Sequence, residues 1–306
     1  MPSEQRSVLI LLGPTGVGKS ALAVELALRL AGEVINGDSM QVYRGFDIGT
    51  AKPSAEERRK VPHHLLDIIE PEEQFNAADF VRLAVEAIAA ILDKGRLPIV
   101  VGGTGLYLKA LLDGLFPGPG RDSEVRGRLR ERAEAEGLES LYRRLEETDP
   151  AYARKVGPRD KVRIIRALEV FYLTQVPLSA HFSRTEPSLK DVQIIKIGLK
   201  LDRKELVKRI EDRVDRMFEQ GFVAEVRNLL ARNVSPDAPP FQALGYRHVR
   251  RYLNNEISLA QAVALTKQDT RQYAKRQMTW FRKMTGIVWF EAGEGRAAAG
   301  YVRDHL

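Results

Sequence analysis

The segment Gly13–Ser20 constrains the fold of this chain more than any other. Its sequence, GPTGVGKS, follows the buried-strand pattern Ser7–Leu12 and opens a helical pattern at Lys19. It matches G-x-x-x-x-G-K-[ST], a loop whose backbone N–H groups and helix N-terminus point at a phosphate chain. In such a loop the lysine neutralises phosphate charge, and the serine hydroxyl is offered to Mg²⁺. The expected diphosphate-binding residues are Gly13, Pro14, Thr15, Gly16, Val17, Gly18, Lys19 and Ser20, with Ser20 as the Mg²⁺ ligand.

The motif alone leaves the phosphorylated ligand open. A kinase or an ATPase needs these donors, and a P-loop protein that binds RNA without catalysis also fits them. A pyrophosphate on any other ligand satisfies the same N–H groups. Residues outside the loop have to separate these classes.

Strand patterns alternate with loops and helical patterns along the chain. Buried-strand patterns at Ser7–Leu12, Glu33–Asn36 and Leu97–Val101 flank a helix predicted over Ala77–Asp93. Such a series is typical of a parallel sheet covered by helices. We therefore predict an α/β fold: a P-loop NTPase-like parallel sheet flanked by helices, with an all-helical insertion domain and a helical C-terminal region.

The Pro/Gly-rich segment 117–120 marks a change of pattern. Charged helical sequence follows it, and the strand pattern returns only at Val192–Leu199. We therefore expect a helical insertion domain over 118–188, inside a catalytic core formed by 1–117 and 189–306.

Composition excludes several classes of protein. The chain has no cysteine, which excludes a disulfide scaffold, an iron–sulfur cluster, a cysteine-ligated zinc site and a cysteine nucleophile. Its N-terminal apolar run is too short to cross a bilayer and lacks the shape of a signal peptide, so we expect a cytoplasmic protein without a membrane partner. The formal charge of +7 favours a polyanionic partner.

Two further loops should meet the P-loop, because the carboxyl ends of parallel strands line one edge of a sheet. Asp38 follows the second strand, where a long loop is expected to run to about Pro71, and Thr104 follows the third strand between glycines. A carboxylate at this edge can act as a general base, orient a substrate, bind a metal or only cap a turn. His63 and His64 are expected to form hydrogen bonds rather than to bind zinc, because adjacent side chains point in different directions.

Positive charge is concentrated in the segment 241–283. It holds nine basic and two acidic residues, whereas the rest of the chain is formally neutral. A helix predicted over 258–284 places Arg271, Lys275 and Arg282 on one face. The near absence of acidic partners favours an RNA-binding face over a solvated helix. The other, largely apolar face is expected to pack on the core and holds Tyr273, Gln277, Trp280 and Met284.

The charge of the expected insertion is more even. Residues 121–166 carry 13 basic and 10 acidic side chains, a mixture typical of solubility and surface ion pairs. Arg163 and Arg166, three positions apart on a predicted helix, are the better candidates for RNA contact.

Seven stretches of the chain occur in an order found in one known family. They are GPTGVGKS from Gly13, DSMQVYRGFDIGTAKP from Asp38, HHLLDI from His63, GGTGLY from Gly102, RIIRALE from Arg163, ALGYR from Ala243 and QDTRQYAKRQMTWFR from Gln268. In these stretches the chain resembles the bacterial tRNA dimethylallyltransferases, also called tRNA isopentenyltransferases. One departure is Gly37, where the family more often has Ala or Ser.

The resemblance implies that the P-loop binds dimethylallyl diphosphate with Mg²⁺, and not ATP. It implies transfer of the dimethylallyl group to N6 of an adenosine adjacent to the anticodon of tRNA, position 37. It implies catalytic roles for Asp38 at the acceptor amine, for Thr104 near the reacting groups, and for Lys19 and Arg213 on the diphosphate. The insertion over 118–188 corresponds to a domain that grips the anticodon stem-loop, and we expect a monomer. The expected tRNA-binding residues are Asp38, Ser39, Met40, Gln41, Thr104, Arg126, Arg163, Arg166, Arg247, Arg271, Lys275 and Arg282.

Overall fold

The structure of the chain is a computed structural model that describes residues 6–116, 118–183 and 185–306. These residues form six strands and fourteen α-helices. None of the described helices is both long and apolar enough to cross a membrane.

The chain divides into two compact units. The first combines the chain up to Leu111 with Leu189–Leu306, and the second is Leu112–Ser188. The strands all belong to the first unit and are β1 (Ser7–Leu12), β2 (Gly32–Asn36), β3 (His63–His64), β4 (Leu97–Gly102), β5 (Gln193–Lys200) and β6 (Val288–Glu291). They pair in parallel in the order β3-β2-β4-β1-β5-β6, as predicted for an α/β fold.

The helices are distributed over both units. In chain order they are α1 (Lys19–Arg29), α2 (Ala55–Lys60), α3 (Ala77–Asp93), α4 (Gly105–Asp113), α5 (Ser123–Ala135), α6 (Leu138–Thr148), α7 (Pro150–Ala153), α8 (Lys161–Thr174), α9 (Leu178–Phe182), α10 (Arg203–Glu219), α11 (Phe222–Ala231), α12 (Tyr246–Leu253), α13 (Leu259–Phe281) and α14 (Gly295–Arg303). Helices α5–α9 form the second unit, and a 3₁₀ turn at Pro239–Gln242 precedes α12.

Local sequence accounts for most of these elements. All six residues of β1 are buried, as expected of a central parallel strand with both faces covered. Helix α3 begins at a capping box formed by Asn76 and Asp79, and its buried residues Phe80, Ala84 and Ile88 recur every four positions. Its bounds agree with the prediction.

The second unit has its own apolar core. Leu145 of α6 and Ile164 and Leu168 of α8 are fully buried in it. Gly137, whose φ of +82° suits a residue without a Cβ, separates α5 from α6. One continuous run of charged helical sequence therefore forms two helices that fold against α8.

Three elements differ from what was expected of their segments. The segment expected as a loop to about Pro71 contains α2 and the two-residue strand β3, and the C-terminal region, predicted to be helical, also contributes β6. Helix α2 has no buried residue, so no apolar period marks it; a capping box at Ser54 and Glu57 starts it. Strands β3 and β6 are short edge strands and lack the long apolar run of a central strand.

Candidate active site

Three loops meet at one edge of the sheet because their strands are neighbours. Leu12 at the end of β1 pairs with Gly102 of β4, and Asn36 at the end of β2 pairs with Val101 of β4. The P-loop, the loop that begins at Gly37 and the β4–α4 turn therefore leave the sheet side by side. This is the edge at which doubly wound α/β proteins bind ligands.

The P-loop has the conformation that its glycines allow. Gly16 and Gly18 have φ angles of +83° and +103°, which side chains with a Cβ rarely adopt. Lys19 Nζ donates to Pro14 O at 2.9 Å, so the side chain folds back over the loop. Burial lowers the pKa of Lys19 to about 7, and the Arg213 cation adds to this effect while Asp38 opposes it.

Asn36 holds the backbone of Asp38. Its Oδ1 accepts the N–H of Asp38 at 3.0 Å, and its Nδ2 donates to Asp38 O at 3.1 Å and to Leu65 O at 3.0 Å. The Asp38 carboxylate accepts the N–H of Met40 through Oδ1 at 2.8 Å. A carboxylate has about four lone-pair sites, so Asp38 keeps acceptor capacity for a ligand.

Thr104 joins the second and third loops. Its Oγ1 accepts the N–H of Ser39 at 3.2 Å, and it is also a hydrogen-bonding partner of the Tyr273 hydroxyl. Burial is the main cause that raises the pKa of Tyr273 to about 12, with Asp38 adding to it. The Tyr273 hydroxyl is therefore neutral at physiological pH.

Arg213, on α10, faces the P-loop across a small cavity. Lys19, Ser20, Asp38 and Arg213 line this cavity together. Burial lowers the pKa of Arg213, while the Asp38 carboxylate raises it. Asp38 can balance only one of the two cations at this edge. The positive charge that remains suits an anionic ligand.

Two larger cavities share lining residues with this small one. One, of about 850 Å³, is rich in cations, with Lys19, Arg58, Arg209, Arg213 and Arg216 among its lining residues. The other, of about 370 Å³, contains apolar side chains and the backbone of the second loop. Its lining includes Met40, Val214, Met217, Phe222, Leu244 and Tyr273, together with Asp38, Ser39 and Arg213.

The loop that follows Asp38 is held by Glu225, which the sequence did not single out, and by Gln41, which it did. Glu225 of α11 accepts the backbone N–H groups of Asp47, Ile48 and Gly49, at 3.0, 2.6 and 3.3 Å. Gln41, expected to contact tRNA, donates its side-chain amide to the carbonyls of Thr50 and Ala51. The sequence lacks any local signal for this role of Glu225, because the backbone groups that it holds in the loop lie more than 170 positions away.

The histidine pair forms hydrogen bonds, as predicted. His63 Nδ1 lies 2.8 Å from Val61 O, and His64 Nε2 lies 2.6 Å from Glu33 Oε2. Among the described residues, no cluster of histidines and acidic side chains is arranged to hold a metal ion.

The cationic face of α13 has more acidic partners than its own sequence segment suggests. Arg271 and Lys267 form ion pairs with Glu211 and Asp215 of α10. Arg247 of α12 pairs with Asp269, which lies within the segment. Lys275 and Arg282 are exposed, and both line a groove with Arg271. The expectation of an acid-poor environment was wrong for Arg271, because α10 lies alongside α13.

The predicted apolar face of α13 was also only partly right. Gln277 is buried, but the side chain of Trp280 is 37% exposed and covers Gly105. The buried residues of the helix are Ala262, Thr266, Ala274, Gln277 and Phe281.

In the second unit, two of the expected RNA contacts are engaged by one buried acid. Glu169 is fully buried and accepts two hydrogen bonds from Arg126, at 2.8 and 2.9 Å, and one from Arg166 at 2.6 Å. Arg163 is exposed on the same helix as Arg166, with Asp160 3.3 Å away. Of the three arginines, Arg163 therefore has the most accessible guanidinium.

Comparison with known proteins agrees with this arrangement. The chain matches the family described as IPP transferase over residues 41–284. The tRNA dimethylallyltransferases of Geobacter metallireducens and Geobacter sulfurreducens are 51% and 49% identical to it, over 95% and 94% of this chain and 94% and 93% of the respective relatives.

Solved structures give the same result. The full-length tRNA isopentenylpyrophosphate transferase from Bacillus halodurans is 39% identical with a TM-score of 0.72, over 98% of this chain and 96% of that one. A eukaryotic dimethylallyltransferase, captured acting on tRNA, is 32% identical with a TM-score of 0.79, over 94% of this chain and 74% of that one. By sequence and by structure, this chain belongs to the IPP transferase family.

Proposed function

We propose that this chain transfers the dimethylallyl group of dimethylallyl diphosphate to N6 of the adenosine at position 37 of tRNA, next to the anticodon, and releases diphosphate. The observation that carries the proposal is the single edge at which the P-loop, Asp38 and Arg213 meet, between a cationic and a more apolar cavity. The names of the relatives supply the substrate class.

Departure of the diphosphate is the step that the cationic residues favour. An adenine amine is a weak nucleophile, so the C–O bond to diphosphate has to break easily. Backbone N–H groups of the P-loop, with Lys19 and Arg213, stabilise the charge that grows on the leaving oxygen. The Lys19 pKa of about 7 leaves the free amine partly neutral, and a bound diphosphate shifts it toward the ammonium form.

The acceptor amine is placed by the second loop. Asp38 faces the same cavity as Lys19 and Arg213, and its backbone is fixed by Asn36. We assign Asp38 the hydrogen bond that orients the N6 amine and accepts its proton once the new C–N bond has formed. Thr104, tied to Ser39, keeps the second and third loops in register beside it.

The more apolar cavity suits the prenyl group and the extruded base. Met40, Met217, Phe222 and Tyr273 supply apolar surface there. The allylic carbon gains cationic character as diphosphate leaves, so exclusion of water protects it from hydrolysis. An adenine stacked in the anticodon loop has to leave its stack to reach such a cavity.

The residues at this edge fit Mg²⁺. Ser20 lines the small cavity and offers a hydroxyl, an oxygen donor of the kind that Mg²⁺ prefers. It would hold the ion together with diphosphate oxygens. When bound, the ion supplies further neutralisation of diphosphate charge.

For the RNA, we propose two contact regions. Lys275 and Arg282 on α13 supply exposed cations in the first unit, and Arg163 supplies one in the second unit, which we propose grips the anticodon stem-loop. Because tRNA is the acceptor, we place the reaction in the cytoplasm. We expect one chain to suffice, because every residue assigned to the reaction belongs to one unit.

The proposal is tested by incubating the protein with unmodified tRNA, Mg²⁺ and dimethylallyl diphosphate, followed by mass analysis of the nucleosides. We expect a prenylated adenosine and no phosphoryl transfer from ATP in a parallel reaction. Asp38→Ala should slow transfer by about 10²–10⁴-fold while tRNA binding is kept. Asp304→Ala, at an exposed site on the C-terminal segment, is the matched control. Absence of prenylated adenosine with the unaltered protein would refute the proposal.

A further inference from the structure

Gln277 is a buried polar residue in the middle of α13 that reaches two of the three active-site loops. Its Oε1 accepts the N–H of Thr15 in the P-loop at 2.8 Å, and its Nε2 donates to the carbonyl of Gly103 at 2.9 Å. The side chain is 4% exposed. One carboxamide thus spans the P-loop and the β4–α4 turn.

The surroundings are shaped for this bridge. A Cβ on residue 103 would lie 2.2 Å from Gln277 Nε2, so only glycine admits the amide at this distance. One helical turn earlier, Tyr273 has hydrogen-bonding partners in Thr104 and Gln277. Thr104 in turn accepts the N–H of Ser39, which extends the connection to the loop that carries Asp38.

Geometry makes the bridge relevant to the reaction. The P-loop holds the leaving diphosphate, whereas the turn after β4 and the loop after β2 hold the groups assigned to the acceptor amine. A group transfer depends on the separation of donor and acceptor, and a 1 Å displacement can lower a rate on the order of 10²-fold. The loops leave neighbouring strands of the sheet, and beyond the strands the Gln277 side chain joins the first loop to the third.

We propose that Gln277 is a positioning residue for prenyl transfer. Its carboxamide fixes the P-loop at a set distance from the β4–α4 turn, and so fixes the diphosphate relative to the amine acceptor. Because the same helix carries Lys275 and Arg282 on its exposed side, RNA bound there rests on the element that also holds the P-loop. This inference rests on the proposed function for its kinetic test, but its effect on the P-loop can be measured without the reaction.

The first experiment compares Gln277→Met with the unaltered protein. Methionine keeps a similar volume and loses the hydrogen bonds to Thr15 and Gly103. We expect kcat to fall on the order of 10²-fold, with tRNA affinity retained. We also expect pyrophosphate with Mg²⁺ to bind about tenfold more weakly in titration calorimetry, because the loop has to be ordered on binding. Unchanged kcat and pyrophosphate affinity would overturn the proposal, and so would a loss of kcat that only follows a loss of tRNA binding.

The second variant, Gln277→Glu, separates positioning from simple destabilisation of the fold. A neutral glutamic acid can accept from Thr15 N–H and donate to Gly103 O, whereas the carboxylate meets that carbonyl with a lone pair. The activity ratio of Gln277→Glu to the unaltered protein should therefore rise as the pH falls from 9 to 6. Lys19, Asp38, Arg213 and Tyr273 are the ionisable groups nearby. The pH profile of the unaltered protein reports their titration, and the ratio removes the part of it that the substitution leaves unchanged.

Two controls complete the design. Gln272→Glu places the same charge change on an exposed position of α13, and its activity ratio should stay near one at every pH. A pH-independent ratio for Gln277→Glu would overturn the proposal. If the unaltered protein forms no prenylated adenosine, the proposed function fails, and the pyrophosphate titration of Gln277→Met then decides whether Gln277 holds the P-loop.

Discussion

The cations of α13 and those of the second unit differ in their partners. Arg126 and Arg166 direct their guanidinium groups at Glu169, which is fully buried. Lys275 and Arg282 are exposed on α13. A buried carboxylate needs cationic partners for its own stability, so it withdraws nearby arginines from any external ligand. Exposed cations keep their charge available to a phosphate backbone.

The comparison also shows what a count of charges along the chain omits. The segment 241–283 has two acidic residues, yet Arg271 pairs with Glu211 and Lys267 pairs with Asp215, both from α10. Ion pairs between helices join residues more than fifty positions apart here. The basic residues behind the surplus of +7 are therefore available at the surface only where no acidic residue from another helix pairs with them.

The largest effect that tests the difference between paired and exposed cations is expected at Glu169. Glu169→Ala leaves Arg126 and Arg166 without their buried partner and should destabilise the second unit by about 3–5 kcal/mol. Urea unfolding, with hydrogen exchange to locate the affected helices, measures this loss. Glu134→Ala, which removes an exposed acid 3.7 Å from Lys161, should change stability by about 0–1 kcal/mol. Equal effects of the two substitutions would contradict a structural role for the Glu169 cluster.

Acid should remove part of the same stabilisation. Burial by itself raises the pKa of Glu169, but hydrogen bonds from Arg126 and Arg166 outweigh it, and the pKa lies below its ordinary value of 4.5. A carboxylate with a lowered folded-state pKa stabilises the fold above its unfolded-state pKa, and the contribution is lost as the pH falls through the folded-state value. The stability difference between the unaltered protein and Glu169→Gln should therefore shrink below about pH 4.5. Urea unfolding at several pH values tests this, and a constant difference would argue against ionised Glu169.

The exposed cations should affect RNA binding and leave folding unchanged. We expect the double substitution Lys275→Gln with Arg282→Gln to weaken tRNA binding about tenfold near 0.1 M salt, and to reduce the slope of log affinity against log salt by about 1.5. Filter binding or fluorescence anisotropy across a salt series measures both quantities. Arg29→Gln, on the exposed side of α1, is the control for a change of net charge. An unchanged slope would show that the α13 cations are only solvated.

Much of the fold was predictable because its signals are local. The P-loop between β1 and α1, and helix α3 with its capping box and apolar period, depend on residues within a few positions of one another. Helix α2 and strands β3 and β6 lack such signals, since α2 buries none of its residues and the two strands are short edges.

The candidate site divides in the same way. Lys19, Asp38 and Thr104 could be named from their positions after strands, because parallel strand ends share an edge. Glu225 could not, because a glutamate on a surface helix looks solvated until its tertiary contacts are known. Gln277 was expected on the core-facing side of its helix, but the sequence does not indicate which backbone groups its amide meets. The Gln277 amide meets Thr15 across 262 positions of sequence.

The smallest expected effect concerns the ion pair between Arg271 and Glu211, which distinguishes Arg271 from its exposed neighbours Lys275 and Arg282. Glu211→Gln removes the acidic partner of Arg271 without changing the guanidinium itself. If α13 binds RNA through this face, the freed cation should strengthen tRNA binding about twofold and steepen the salt slope by less than about one unit, because only one phosphate contact is added. Glu205→Gln on the same helix removes an acid that pairs instead with Arg209, and it serves as the matched control. Stronger binding in Glu211→Gln but not in Glu205→Gln would show that pairing, and not the number of cations, limits the contact of this helix with RNA. Equal binding in both variants would place Arg271 outside the RNA contact and leave Lys275 and Arg282 as the cations that matter on α13.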